Sequence, residues 1–288
     1  VELAEQFRMS RAERGLSVVF ACASETLAAR LVDREYASVE FGEELVFDPR
    51  RDPQAGRRGR ELRKKVARAE RSGVEVCEYL AGVDTPRIEP AMEQVVRRWL
   101  AGRRGLQTYV APLLLFAESR GRRWFYARHG REIVGVLSLV RLDAHHGWLM
   151  EHLLAVPEAP QGTTETLVAR VFAALGTEDC AWCSFGPSTL PRLAHMHGLG
   201  RCSELMARAI FGLAGRLCDF RSHARYRQKF QPVSSQRRFL LFHPRRFGLR
   251  ELSGLSRAFN FSLSRESASP PAHDGILLPR TGDFPRPI

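Results

Sequence analysis

The segment EHLLAVPEAPQGTTETLV, residues 151–168, contains the pattern that decides the fold. An apolar run ends near Val156, a loop with two prolines and a glycine follows, and an amphipathic stretch opens at Thr163. The run has the length of a strand, and the stretch has the spacing of a helix that ends near Gly176. A helix N-terminus after a strand presents unpaired N–H groups, which suit a phosphate or a developing oxyanion. We predict such a site here, with Gly162 letting the ligand approach the backbone, although a plain strand-to-helix turn has the same pattern.

The strand that leads into this turn carries two ionisable side chains within an apolar run. Strict alternation places Trp148, Met150 and His152 on one face and Glu151 on the other. Buried ionisable groups are costly unless they are paired, so Glu151 and His152 are candidates for proton transfer. The alternative is a satisfied pair inside the core.

The flanking sequence predicts more strands than helices. Residues 122–143 have the alternation of a hairpin that turns at His129–Gly130, and residues 37–49 have that of a strand–turn–strand around Gly42. The order of antiparallel strands, then strand, loop and helix is clear in 122–185 and weaker in 15–75. We predict an α/β (α+β) fold with two units of one type, each a mixed, mostly antiparallel sheet flanked by helices. The boundaries are 1–121, 122–250 with the catalytic site, and a Pro- and Ser-rich tail over 251–288 without its own core.

The net charge of +12 and the pI of about 10.2 indicate a polyanionic partner, such as nucleic acid or an anionic membrane. Residues 59–73, GRELRKKVARAERSG, predict a helix that ends at Gly73. Its apolar stripe is thin, and cations that only Glu61 and Glu70 offset occupy the rest of its surface. Repelling cations on one helix favour an external anion, while a merely solvated face is the alternative.

Several classes of site are not indicated. No apolar run approaches the roughly 18 residues of a membrane span. Cys180 and Cys183 have the spacing of metal ligands, but no second pair completes a zinc site, so we expect no metal and assign free thiols in a reducing cytosol. No catalytic triad signature, P-loop or dinucleotide fingerprint is present.

Four motifs, in order along residues 17–243, resemble the synthase domain of the bacterial phosphatidylglycerol lysyl- and alanyl-transferases, the multiple peptide resistance factor family. They are FGEELVFDP (41–49), LRKKVARAERSGVEV (62–76), SFGPSTL (184–190) and CDFRSHARYRQKFQP (218–232). In the last motif the matching positions are Phe220, Tyr226, Arg227, Lys229, Phe230 and Pro232.

The resemblance implies two tandem acetyltransferase-like (GNAT) units that move an aminoacyl group from aminoacyl-tRNA to a lipid hydroxyl without a cofactor. An acetyl-CoA enzyme would carry a glycine-rich turn after the strand, of which only Gln161 and Gly162 are present. Lipid-modifying members carry Asp and Arg where this chain has Trp148 and Glu151, so a small alcohol or amine acceptor stays open. The sequence is also compatible with an acyl-CoA N-acyltransferase, or with a non-catalytic module that binds RNA or an anionic membrane. We expect a cytoplasmic location or one at the inner membrane face.

The candidate site residues follow from these arguments. Those for catalysis are Glu151, His152, Arg227 and Lys229; for substrate binding, Trp148, Gly162, Gly186 and Tyr226; for tRNA binding, Arg63, Lys64, Arg68 and Arg71.

Overall fold

The computed structural model describes residues 1–82, 85–102, 113–190, 192–217 and 220–258, with the backbone alone for 85, 214–217 and 220–223. The predicted tail beyond residue 258 lies outside the described residues. The helices are α1 (Glu2–Ala12), α2 (Glu25–Val32), α3 (Arg60–Arg71), α4 (Thr85–Ala101), α5 (Thr163–Thr177), α6 (Arg201–Leu217), α7 (Phe220–Gln228) and α8 (Leu249–Ala258). The strands are β1 (Val18–Ser24), β2 (Ala37–Phe47), β3 (Val74–Glu78), β4 (Arg122–His129), β5 (Glu132–Leu142), β6 (Gly147–Ala155), β7 (Cys183–Thr189), β8 (Met196–His197) and β9 (Ser234–His243).

The described strands form one sheet in the order β1-β9-β2-β7-β6-β5-β4-β3, and β8 pairs with β2. Every pairing is antiparallel except that of β6 with β7. The predicted fold class, a mixed and mostly antiparallel sheet with flanking helices, is therefore confirmed.

Strand pairing crosses the predicted boundary between the two units. β9 pairs with both β1 and β2, and β3 pairs with β4. The division into 1–121 and 122–250 stays a prediction, because one continuous sheet does not itself mark where a unit ends.

The parallel pairing of β6 with β7 is short. It covers Trp148 with Cys183 and Leu149 with Ser184. Beyond these pairs β6 continues beside β5 and β7 continues beside β2. The two strands thus separate toward their C-terminal ends, and the segment after α7 packs there, with the Phe230 ring 5.7 Å from that of Phe185.

Three local predictions differ from the structure. Residues around Gly42 form no turn, since β2 is continuous; a β-carbon at Gly42 would lie 2.5 Å from the Ser188 carbonyl oxygen of β7, so close strand packing requires the glycine. The segment STLPRLAHMHGLG, residues 188–200, has a sequence that predicts a short helix or loop, but it contributes the strand β8. The predicted tail starts too early, because residues 251–258 belong to α8, with Glu251 buried.

Candidate functional site

A bulge in β6 brings the two predicted acid–base residues together. Ser138 pairs with His152 while Leu139 pairs with Met150, so Glu151 is the extra residue opposite β5. A bulge re-aims the side chains beside it, and the Nε2 of His152 lies 3.5 Å from an Oε of Glu151. Strict alternation assigns these side chains to opposite faces, and at the bulge their ends are nevertheless in contact.

Glu151 also pairs with a guanidinium from β4. Arg122 donates to both carboxylate oxygens, with 3.3 Å between Nη2 and Oε1, and both side chains are largely buried. The backbone N–H of His152 donates to the Ser138 hydroxyl at 3.2 Å. The Glu151 charge is thus compensated inside the fold, as in the paired-core alternative.

Trp148 lies on the buried face of β6. Its ring stands between two arginines, and the guanidinium carbons of Arg123 and Arg141 each lie 5.4 Å from its centroid. Two cations over one indole are typical of cation–π packing. A role of Trp148 in substrate binding remains a prediction.

A second group of predicted residues meets where β6 and β7 separate. The Arg227 guanidinium donates to the Gly186 carbonyl at 2.8 Å and to the Phe185 carbonyl at 3.0 Å. Gly186 has φ +73 and its N–H donates to the Ser184 hydroxyl at 2.8 Å, so this turn is held from both sides. Burial lowers the pKa of Arg227 to about 10, with the Glu44 charge acting in the opposite direction.

The Glu44 carboxylate acts on the charge of Arg227 without forming an ion pair with it. Among the described residues, no carboxylate forms an ion pair with it within 4.0 Å. Nearby, the Tyr226 hydroxyl is buried and makes no hydrogen bond of ordinary geometry with any described residue. Burial raises the pKa of Tyr226 strongly, the Glu165 charge adds to this and the Thr164 hydroxyl partly opposes it, so the phenol stays a donor.

Lys229 is joined to this group through a carboxylate. Its Nζ lies 4.8 Å from the Tyr226 ring centroid and donates to Glu165 Oε1 at 3.1 Å. Lys65, from α3, donates to the same oxygen at 2.8 Å. Burial alone raises the pKa of Glu165, but the two lysines outweigh burial and hold it below its ordinary value.

Sequence reasoning missed Glu165, Lys65 and Arg122. One signal was available, since the chain has 44 basic residues and only three of them are lysines, namely Lys64, Lys65 and Lys229. Two of the three meet on Glu165, which suggests that an ammonium is needed there, since lysine and arginine are not interchangeable.

Gly162 does not serve ligand approach in the manner predicted. Its φ is +100, and a β-carbon would lie 2.2 Å from the Lys65 carbonyl oxygen. The backbone of α3 therefore covers the turn before α5. The glycine is needed because two helices approach each other closely there.

The residues predicted to bind tRNA lie on the exposed face of α3. Its apolar stripe, Leu62, Val66 and Ala69, is buried as expected. The exposed cations of this segment are Arg57, Arg58, Arg60, Arg63, Lys64, Arg68 and Arg71. Three make local contacts: Arg63 donates to the Gly56 carbonyl at 2.8 Å, Lys64 pairs with Glu61 at 3.2 Å, and Arg71 donates to the Ala67 carbonyl at 3.1 Å.

Known proteins were compared with the chain. A model of the family described as phosphatidylglycerol lysyltransferase, C-terminal, matches residues 1–242. No curated protein matches the chain.

Three solved structures share its fold. A C-terminal domain from Agrobacterium fabrum, assigned to a lysylphosphatidylglycerol synthetase, has 17% identity and a TM-score of 0.71, with 91% of this chain and 78% of that chain covered. L-PGS from Bacillus licheniformis has 17% identity and a TM-score of 0.69, with 90% and 78% covered. A conserved protein of unknown function from Bacteroides thetaiotaomicron has 9% identity and a TM-score of 0.56, with 84% and 74% covered.

At such identities the solved structures establish the fold alone, whereas the family model spans most of the chain. The expected resemblance is confirmed: this chain belongs to the phosphatidylglycerol lysyltransferase C-terminal family, whose members transfer aminoacyl groups.

Proposed function

We propose that this chain transfers an aminoacyl group from aminoacyl-tRNA to the hydroxyl of an anionic phospholipid such as phosphatidylglycerol. The observation that carries the proposal is the link from the cationic helix α3, through Lys65 and Glu165, to Lys229, two residues along the chain from Arg227, which has no ion-pair partner among the described residues. A polyanionic donor suits the exposed side of α3, and a phosphate or an oxyanion suits the inner group.

The reaction exchanges one ester for another. The acceptor hydroxyl oxygen attacks the aminoacyl carbonyl carbon, the bond to the tRNA ribose oxygen breaks, and the hydroxyl proton ends on that ribose oxygen. No ATP is consumed, because the ester is already activated. The enzyme has to position both partners and stabilise the oxyanion.

The predicted cationic and acid–base residues and Tyr226 have roles in this scheme. Arg227 and Lys229 bind the acceptor phosphate or the terminal phosphates of tRNA, and the protonated Tyr226 donates to the oxyanion. His152, oriented by Glu151, accepts the hydroxyl proton and returns it to the leaving ribose oxygen.

Two alternatives are less well supported. An acyl-CoA enzyme needs an open turn before α5 for pyrophosphate, and α3 covers that turn at Gly162. Isothermal calorimetry with coenzyme A tests this alternative directly. A binding module without turnover gives no chemical reason for the contact between Glu151 and His152 at the bulge.

The acceptor is the open part of the scheme. An unpaired Glu151 carboxylate would repel a lipid phosphate, but Arg122 compensates it, so the argument for a small neutral acceptor loses its main support. We therefore favour the lipid.

The test offers tRNAs charged with labelled amino acids together with phosphatidylglycerol vesicles, phosphatidylcholine vesicles or glycerol. We expect labelled lipid only with phosphatidylglycerol, and none with the Lys229→Ala variant. Label in glycerol alone would show a small-molecule acceptor, and deacylation with no acceptor product would contradict the transferase proposal.

A lipid acceptor requires contact with a bilayer. No helix in the described ranges is long and apolar enough to cross a membrane. On α6, however, Leu205 and Leu213 lie two turns apart with 69% and 58% of their surface exposed, and Arg201 and Arg208 are exposed on the same helix. We assign this face to the membrane surface.

Cosedimentation with vesicles tests the contact. We expect binding to phosphatidylglycerol vesicles and little to phosphatidylcholine, with the Leu205→Asn, Leu213→Asn pair reducing it. A matched Leu3→Asn change on α1 serves as the control, and equal loss in both variants would contradict the assignment.

A further inference from the structure

Glu165 is a buried carboxylate to which the scheme above assigns no role in the transfer itself. It lies in the first turn of α5 with 4% of its surface exposed, and α3, α5 and the segment after α7 converge on it. Its Oε1 accepts from Lys65 and Lys229, at 2.8 and 3.1 Å, and its Oε2 accepts from the Thr164 hydroxyl at 3.1 Å.

The charge balance at Glu165 leaves a net positive group. Two ammonium groups share one carboxylate, and the N-terminal end of α5 adds its partial positive charge. Such a buried carboxylate would be costly alone, but two close cations offset the loss of hydration. Glu165 is therefore held ionised and cannot leave either lysine without exposing an unpaired charge.

Lys229 is restrained without being blocked. One N–H of its ammonium donates to Glu165, its Nζ lies 4.8 Å from the Tyr226 ring centroid, and 30% of its side chain remains exposed. An ammonium has three N–H donors, so donors remain for a ligand. Glu165 thus decides where that ammonium points.

The use of lysine is selective in this chain. Every basic residue outside 64, 65 and 229 is an arginine, so charge alone does not explain lysines here. Two ammonium groups share the single oxygen Oε1 of Glu165. Lysine and arginine are not interchangeable in such a contact, because the ammonium is a compact point charge on a flexible chain.

We propose that Glu165 is a positioning residue, which holds Lys229 for transfer and ties it through Lys65 to α3. The inference rests on the function proposed above.

The first test measures lysine protonation and needs no transfer assay. Trace acetylation at a series of pH values, followed by mass spectrometry, gives a labelling midpoint for each of the three lysines. The hydrogen bond to Glu165 raises the pKa of Lys65, so the labelling midpoint of Lys65 should fall in Glu165→Gln, because a close opposite charge is lost. Lys64, which pairs with Glu61 instead, is the internal control for labelling.

The second test measures the kinetics of aminoacyl transfer. Glu165→Gln should lower kcat for aminoacyl transfer by about 10- to 100-fold, since a misplaced group costs on that order, with little change in KM for charged tRNA. Glu165→Asp should recover part of the loss. In a Lys229→Ala background Glu165→Gln should have no further effect, because there is no longer a lysine to position.

The outcomes separate this inference from the proposed function. Transfer by the unchanged protein with full activity in Glu165→Gln would overturn the positioning role alone. Absence of transfer with the predicted labelling shift would overturn the function and leave the contact in place. If Glu165→Gln does not fold, Glu165→Asp replaces it in both tests, and full transfer with an unchanged Lys65 midpoint would overturn the inference.

Discussion

Gly162 faces Lys65 so closely that a β-carbon on the glycine would lie 2.2 Å from the lysine carbonyl oxygen. This contact joins α3 to α5 at the turn where the sequence alone suggested an open anion site. It also fixes the distance from which the Lys65 side chain reaches Glu165. Backbone packing and the charged cluster are thus parts of one arrangement.

Gly162→Ala should lower the free energy of unfolding by more than about 2 kcal/mol, because it adds both a backbone clash and strain at φ +100. Urea unfolding measures the change. Gly15→Ala is the matched control, since its φ is +65 and nothing lies within 4 Å of the added carbon, so it should cost only about 1 kcal/mol. Loss of ligand binding at unchanged stability would instead support a ligand site at Gly162.

Lys229→Ala should lower transfer by about 100-fold or more and leave stability nearly unchanged, since Glu165 keeps its pair with Lys65. Phe230→Ala should instead act mainly by lowering the free energy of unfolding. Phe230 is 1% exposed among Phe172, Phe185 and Tyr226, and its loss should cost about 3–5 kcal/mol. Steady-state kinetics beside thermal unfolding checks both, and intact turnover in Lys229→Ala would remove Lys229 from the site.

Arg122→Gln should destabilise the fold by about 2–3 kcal/mol, because it leaves the Glu151 carboxylate largely buried without its partner. Replacing Arg122 and Glu151 together by Met should recover most of that loss in urea unfolding, yet abolish transfer if the pair orients His152. A double variant that is stable and active would show that the pair has only a packing role.

Binding of tRNA should depend steeply on salt, with a log–log slope of about −0.9 per duplex phosphate contacted. Changing Arg63, Lys64, Arg68 and Arg71 to Gln should flatten the slope. The control changes four exposed arginines of α6 and α8, namely Arg201, Arg208, Arg250 and Arg257, and should leave the slope closer to that of the unchanged protein. Equal slopes for the α3 variant and the unchanged protein would mean that α3 is merely solvated.

The lowered pKa of Glu40, on β2, predicts that the stability of the fold depends on pH. The Arg237 guanidinium, aided by His195 and opposed by burial, lowers its pKa from 4.5 to about 2. A carboxyl with a lowered pKa stabilises the fold above its unfolded pKa, and this stability is lost as the pH falls toward 2. The Tm difference between the unchanged protein and Glu40→Gln should therefore reach its full size above about pH 5 and shrink as the pH falls toward 2. A difference that stays constant over this range would contradict the assignment.

The elements that the sequence predicted well depend on neighbours within a few residues. The stripe of Leu62, Val66 and Ala69 predicts α3 because residues three and four apart share a helix face wherever the helix is located. The hairpin at His129–Gly130 follows from alternation on both arms and a turn residue between them. Ser24, which accepts from the Leu27 N–H at 3.2 Å, was likewise recognisable as the cap of α2.

Tertiary structure alone decided the geometry of the site. Alternation in β6 could not reveal the bulge at Glu151, because a bulge is defined by the register with β5. Arg122 is 29 residues from Glu151, and Glu165 is 100 residues from Lys65 and 64 from Lys229. Periodic patterns report which face of an element is buried, but not which charges from other elements meet there. Contacts between charged side chains of different elements depend on strand order and on close helix contacts such as that of Gly162 with Lys65. Both arise only when the whole chain is folded.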